Sequence, residues 1–133
     1  MSQMSSDSGP AMDRDGLLPA IETAQHAVEV AVRALTSYSE ALERIRRQAG
    51  LGMPLPLIID AHVRSGGVDM RHAAGAALDV YERAVMELRS EIVRQLVDDH
   101  GLTLTEVAGT IRVSRQMVAR LLDAGRSGTS GAD

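Results

Sequence analysis

From Leu17 to Ala49 apolar residues return on a seven-residue repeat: Ile21, Ala24, Val28, Ala31, Leu35, Tyr38, Leu42, Ile45 and Ala49. Beside them runs a second stripe, Ala20, Ala27, Ala34 and Ala41. The spacing predicts a long amphipathic helix made for helix-on-helix packing of coiled-coil or bundle type. Its alanine edge allows a partner helix to come close, and charged rim positions are almost missing, so it is no zipper specified by rim salt bridges. Gly50 and Gly52 end the helix. Leu55, Leu57, Ile58, Ile59 and Val63 follow, more apolar than a surface connector, with Pro56 opening a short helix to about Arg64. Gly66 and Gly67 break the chain. Asp69 then caps a second long helix, Met70 to Asp99, with the seam Ala74, Leu78, Tyr81, Val85, Leu88 and Ile92. The small residues Ala73 to Ala77 near its start face the end of the first helix in an antiparallel hairpin. No stretch alternates with period two, so the fold class expected is all-α.

A different spacing begins at Leu104. Val107, Ala108, Ile111, Val113, Val118 and Leu121 fall where two short helices crossing at a sharp turn bury side chains against each other. Thr103 and Glu106 form a capping box, and Ser114 is the N-cap of a second helix running to about Ala124, where Gly125 stops it. Ile92, Val93, Leu96 and Val97 of the preceding helix complete a three-helix core. This pattern, with the small Ala108 at the crossing, resembles the helix-turn-helix of bacterial repressors and of the promoter-reading end of sigma factors. The resemblance covers about residues 87–125 and implies a second helix that enters the major groove. One position departs from the motif. Its turn normally carries glycine four residues after the crossing alanine, and here that place is Arg112. A left-handed arginine costs about 1 kcal/mol relative to glycine, which a phosphate contact would offset.

With Val118, Leu121 and Leu122 inward and Met117 beside them, Arg115, Gln116, Ala119 and Arg120 face outward, and the Ser114 hydroxyl lies at the helix tip. Arginine and glutamine are the side chains that make paired hydrogen bonds to guanine and adenine edges. Thr103, Thr105, Arg112 and Arg126 flank them as candidate phosphate contacts, which set register without reading sequence. The alternative is an ordinary solvated face; against it, the same face carries no acid before Asp123.

Composition narrows the classes. The 133 residues suit one domain, with a small module attached. Cysteine is absent, which excludes disulfides and thiolate metal sites and suits a reducing cytoplasm. All 14 basic residues are arginine, and Lys, Asn, Phe and Trp are missing, as in a GC-rich bacterial genome of actinobacterial type. A net charge of −4 argues against a general nucleic-acid coat. Residues 101–126, however, hold four arginines against Glu106 and Asp123, so one small basic face is compatible with an acidic chain. No apolar run reaches membrane-spanning length and the first sixteen residues lack a basic start, so no membrane partner is expected. His26, His62, His72 and His100 are scattered, with no HExxH, phosphate loop or nucleophile motif. No catalytic residue, cofactor or metal is therefore expected. Asp60, His62 and His72 could meet across the Gly66–Gly67 turn as a metal or pH-sensing site, but solvated surface histidines are far commoner.

The organisation expected is a disordered arm (1–13), a helical hairpin serving dimerisation (14–86), a helix-turn-helix module (87–125) and a flexible tail (126–133). A homodimer would bury the seam Ile21, Val28, Leu35, Tyr38, Leu42, Ile45, Leu78, Tyr81 and Val85 in a four-helix bundle. The alternative is a monomer with the short helix folded over the seam. The function expected is a cytoplasmic, nucleoid-located homodimer that binds specific double-stranded DNA as a transcriptional regulator. Two alternatives stand beside it: an adaptor that takes a polymerase, toxin or division protein on residues 53–63, and a nucleoid protein with weak sequence preference.

Overall fold

The computed structural model describes residues 16–131, and their side chains as far as residue 127; the arm expected at 1–13 lies outside the described residues. The fold is all-α. Helix α1 is Leu17–Gly50, α2 is Leu55–Arg64, α3 is Gly67–Arg94, α4 is Leu104–Ile111 and α5 is Arg115–Gly131, with a π-helical turn, Gln95–Asp99, closing α3. No strand occurs among the described residues.

Local chemistry sets most of the helix boundaries. Pro54 is the N-cap of α2 in an extended conformation and Pro56 lies in its first turn, where backbone N–H groups have no helical acceptor to lose. Gly66, at φ 89°, makes the turn into α3. That helix begins at Gly67, so Asp69 lies inside its first turn rather than at the cap, placing a carboxylate near the positive end of the helix dipole.

Two further expectations about helix ends are corrected. The second long helix does not run unbroken to Asp99, because residues 95–99 widen into a π turn, with the His100 N–H on the Gln95 carbonyl at 3.0 Å. Gly101, at φ 74°, then reverses the chain; its N–H donates to Val97 O and that of Leu102 to Leu96 O. Gly125 does not stop the last helix: α5 continues to Gly131, through most of the expected flexible tail. The glycine serves close packing instead. A Cβ at Gly125 would lie 2.7 Å from the Ser90 carbonyl oxygen and 3.3 Å from the Arg94 Cβ, so a larger residue would push α5 off α3.

The described chain forms two compact units, residues 25–82 and residues 16–24 with 83–131. The start of α1, expected in the hairpin, therefore belongs with the C-terminal unit. There Gly16 and Ala20 line one cavity with Met86, Ser90 and Ala124.

In the unit 25–82, Val28 to Leu35 share a groove with Leu78 and Tyr81, and Ala41 to Gln48 share another with Ala61 to Ser65. The buried apolar side chains of this unit are Ala27, Ala31, Ala41, Ala74, Ala77 and Ile58. The bulky side of the heptad is not buried within the chain. Of the nine residues expected in a dimer seam, Val28, Leu35, Leu42 and Leu78 are exposed, whereas Ile21, Tyr38, Ile45, Tyr81 and Val85 are half-buried. Alanine faces let helix axes approach closely, and that closeness leaves the branched neighbours at the rim.

Candidate nucleic-acid interface

Helices α4 and α5 are seated on a core of Val93, Val107, Val118, Leu121 and Leu122. Leu96, Val97, Leu102, Leu104, Ala108, Ile111, Val113 and Met117 pack against it. Val93 thus joins the end of α3 to the two short helices, while Ile92 is half-buried and outside this cluster.

Both starts are capped. Thr103 Oγ1 accepts from the Glu106 N–H at 3.1 Å and Glu106 Oε1 accepts from the Thr103 N–H at 2.8 Å, the reciprocal box that satisfies two orphan donors. Ser114 Oγ accepts from the Met117 N–H at 3.0 Å and so fixes the first turn of α5. Between the helices Arg112 stands at φ 61°, ψ 49°, and its N–H donates to the Ala108 carbonyl. It is the one non-glycine residue with positive φ among those described. Arg112→Gly should therefore raise stability by about 1 kcal/mol in thermal or chemical denaturation. An unchanged or lower stability would mean that the side chain supplies contacts worth more than the strain.

Around this turn the exposed side chains are Thr103, Thr105, Arg112, Ser114, Arg115, Gln116 and Arg120, with Ala119 half-buried among them. They lie on the N-cap and first turn of α4, the turn between the helices and the solvent side of α5. Among the described ion pairs, none involves Arg112, Arg115 or Arg120. The Arg120 guanidinium has the Met117 sulfur 4.0 Å away, a weak contact that leaves its donors largely available.

Arg126, expected at a phosphate, is paired with Asp98 of the π turn, its Nε 3.2 Å from Oδ2 and its Nη2 on Oδ1. The hydrogen bond from Arg126 lowers the Asp98 pKa and raises that of the arginine. This paired geometry clamps α5 to the end of α3. The partners stand 28 positions apart, and the π turn that sets the direction of Asp98 leaves no mark in the apolar spacing.

A second polar cluster holds the same end of α3. Arg94 Nη2 donates to Glu91 Oε2 at 2.7 Å, and Gln95, itself buried, adds its amide to the same oxygen at 2.8 Å. Arg94 chiefly, with help from Gln95, holds the Glu91 carboxyl below its usual range against the opposing effect of burial. A carboxyl depressed in the folded state contributes stability above its unfolded pKa, and that contribution is lost as pH falls through the folded value. Melting temperature should accordingly fall as pH drops below the ordinary glutamate range, and Glu91→Gln should flatten part of that limb while lowering stability at neutral pH. Asp98, shifted the same way, keeps the remainder. An unchanged acid limb in the variant would remove Glu91 from this role.

Asp60, His62 and His72 do not assemble. Asp60 pairs with Arg64 at 2.8 Å, the His62 ring covers the Gly67 backbone, and no group of three or more metal-ligating side chains occurs among the described residues. Nor is any described helix long and apolar enough to cross a membrane. No family model matches the chain, and neither a curated protein nor a solved structure proved similar to it.

Proposed function

We propose that the protein is a homodimeric transcriptional regulator of bacterial type that acts at the nucleoid, binding specific double-stranded DNA with α5 in the major groove. Arg115, Gln116 and Arg120 would read base edges, Ala119 would offer a methyl-sized contact, and Ser114 would sit at the entering tip. Thr103, Thr105 and Arg112 would hold phosphates and set the register. The observation that carries this reading is the outer side of α5. It presents Arg115, Gln116 and Arg120 exposed on a helix seated by a buried core and capped by Ser114, and neither arginine takes part in a described ion pair.

The direct test is selection of bound duplexes from a random library by the full-length protein. The result expected is one enriched inverted repeat whose half-sites lie about one helical turn, roughly 34–36 Å, apart. Binding with a steep salt dependence and no enriched sequence would replace the reading with a nucleoid-coating role. No binding at low salt would overturn it.

A second reading has its own support. Leu51, Leu55, Leu57, Ile59 and Val63 are exposed with Met53 around α2, and Leu51 keeps 82% of its surface accessible. Leu55, Ile59 and Val63 share one side of α2 at four-residue spacing, and an apolar stripe of this kind serves protein contact, so an adaptor function would use residues 53–63 to hold a polymerase, toxin or division protein. In that case Leu55→Ser with Ile59→Ser would abolish the cellular phenotype and leave DNA binding untouched.

A further inference from the structure

We infer that the unit 25–82 is completed by a second copy of the chain, docked on the bulky edge of α1 and α3, while the alanine faces stay within each protomer. This deepens the homodimer part of the proposed function and does not depend on DNA binding. It divides the heptad between two different contacts, with Val28, Val32, Leu35, Leu42 and Leu78 as the residues between copies.

The core of this unit is thin. Apart from Ile58, its buried apolar side chains are alanines, each with a single methyl group to withdraw from water. Domains of about sixty residues are marginal even with cores of large side chains. A unit whose fully buried side chains are almost all alanine needs further burial to offset the entropy of ordering its helices.

The missing apolar surface is present and unused. Val28, Val32, Leu35 and Leu42 are spaced along one side of α1, each between 40% and 56% exposed, and Leu78 of α3 is 39% exposed. Val28, Ala31, Val32, Leu35, Leu78 and Tyr81 line a shallow apolar groove between the two helices. From Val28 to Leu42 the stripe runs about 20 Å, and two adjacent helices are each about 10 Å across. Such a face, roughly 400 Å² in outline before side-chain relief is counted, approaches the ~500 Å² per partner that a specific interface has to clear.

The occupant follows from the form and charge of the face. Two helices of opposite direction give a surface that a two-fold axis maps onto its own complement, so the ridge of one copy enters the groove of the other as a four-helix bundle. The unit holds six arginines (33, 44, 46, 47, 64, 71) and seven acids (29, 40, 43, 60, 69, 79, 82), so its net charge is −1 and long-range repulsion between two copies is weak. A burial needed for the stability of the unit also requires a partner present at equal concentration wherever the chain is made, and its own copy meets that condition.

The test uses the full chain without DNA. Sedimentation equilibrium at micromolar concentration should give a dimer, and Leu35→Glu with Leu78→Glu should give a monomer or an unfolded chain. Because the protein has no cysteine, a single introduced one reports on its symmetry mate alone. Val32→Cys, Leu35→Cys and Leu78→Cys should each be joined into covalent dimers by a short bis-thiol reagent, with native circular dichroism. Ser37→Cys, exposed about half a turn round α1 from Leu35, should not. A wild-type chain that sediments as a monomer overturns the inference and leaves the face to a different protein, as does equal cross-linking at position 37. Arg115→Ala with Arg120→Ala separates the two ideas: a persistent dimer that has lost DNA keeps both, whereas a dimer that never binds DNA removes only the proposed function.

Discussion

Leu121→Ala should cost about 2–5 kcal/mol, the largest loss expected from any single truncation around α4 and α5. Leu121 is 2% exposed and packs in the cluster formed by Val93, Val107, Val118 and Leu122, so removing its branched end leaves a hole lined by three helices. The loss should appear as faster hydrogen exchange at the amides of residues 104–122 and as a lower melting temperature by circular dichroism. Native protection in the variant would mean that these helices do not share the core described. Since buried Leu121 adjoins exposed Arg120 on α5, a loosened helix should also weaken the DNA binding proposed for the protein, a defect that cooling would partly reverse.

Arg115→Ala and Arg120→Ala should each weaken specific DNA binding by about 1–3 kcal/mol, roughly five- to 150-fold, with melting temperature unchanged. Both side chains are exposed and neither belongs to a described ion pair, so no folded-state contact of consequence is lost with them. Titration against the selected operator and against random duplex divides the possible roles. A loss confined to the operator marks base reading, and an equal loss on both marks a phosphate contact with a shallower salt slope. Binding unaffected by either substitution would remove α5 from the interface.

Features of this region that depend on neighbours in sequence were legible before the structure. Thr103 and Glu106 stand three apart and cap each other, Ser114 precedes its helix, and Arg112 keeps the left-handed backbone that the turn demands although it is not glycine. What escaped depends on distant partners. Gly125 carries the local signature of a helix stop, but its reason is the Ser90 carbonyl on another helix. Arg126 looks like a free cation until the π turn carries Asp98 to it. The heptad of α1 marks apolar positions faithfully without saying which partner each one meets. Alanine recurring every seven residues was the available signal for the close intrachain contact, because the smaller face permits the shorter distance between axes.

The unit that carries the candidate interface is discontinuous, drawing residues 16–24 from one end of the described chain and 83–131 from the other. This bears on the order of assembly. The cluster from Val93 to Leu122 is local in sequence, so it can form early and quickly. Docking the first turns of α1 onto it requires closing a loop of intervening chain, a step that is slower and easily undone. Loop-closure entropy grows only with the logarithm of length in flexible chain, about 0.6 kcal/mol per doubling, and the flexible part of that stretch is the short link between α1 and α2. Insertions in the 51–54 connection should therefore be tolerated, leaving the first turns of α1 as the last part of the unit to dock and the first to detach.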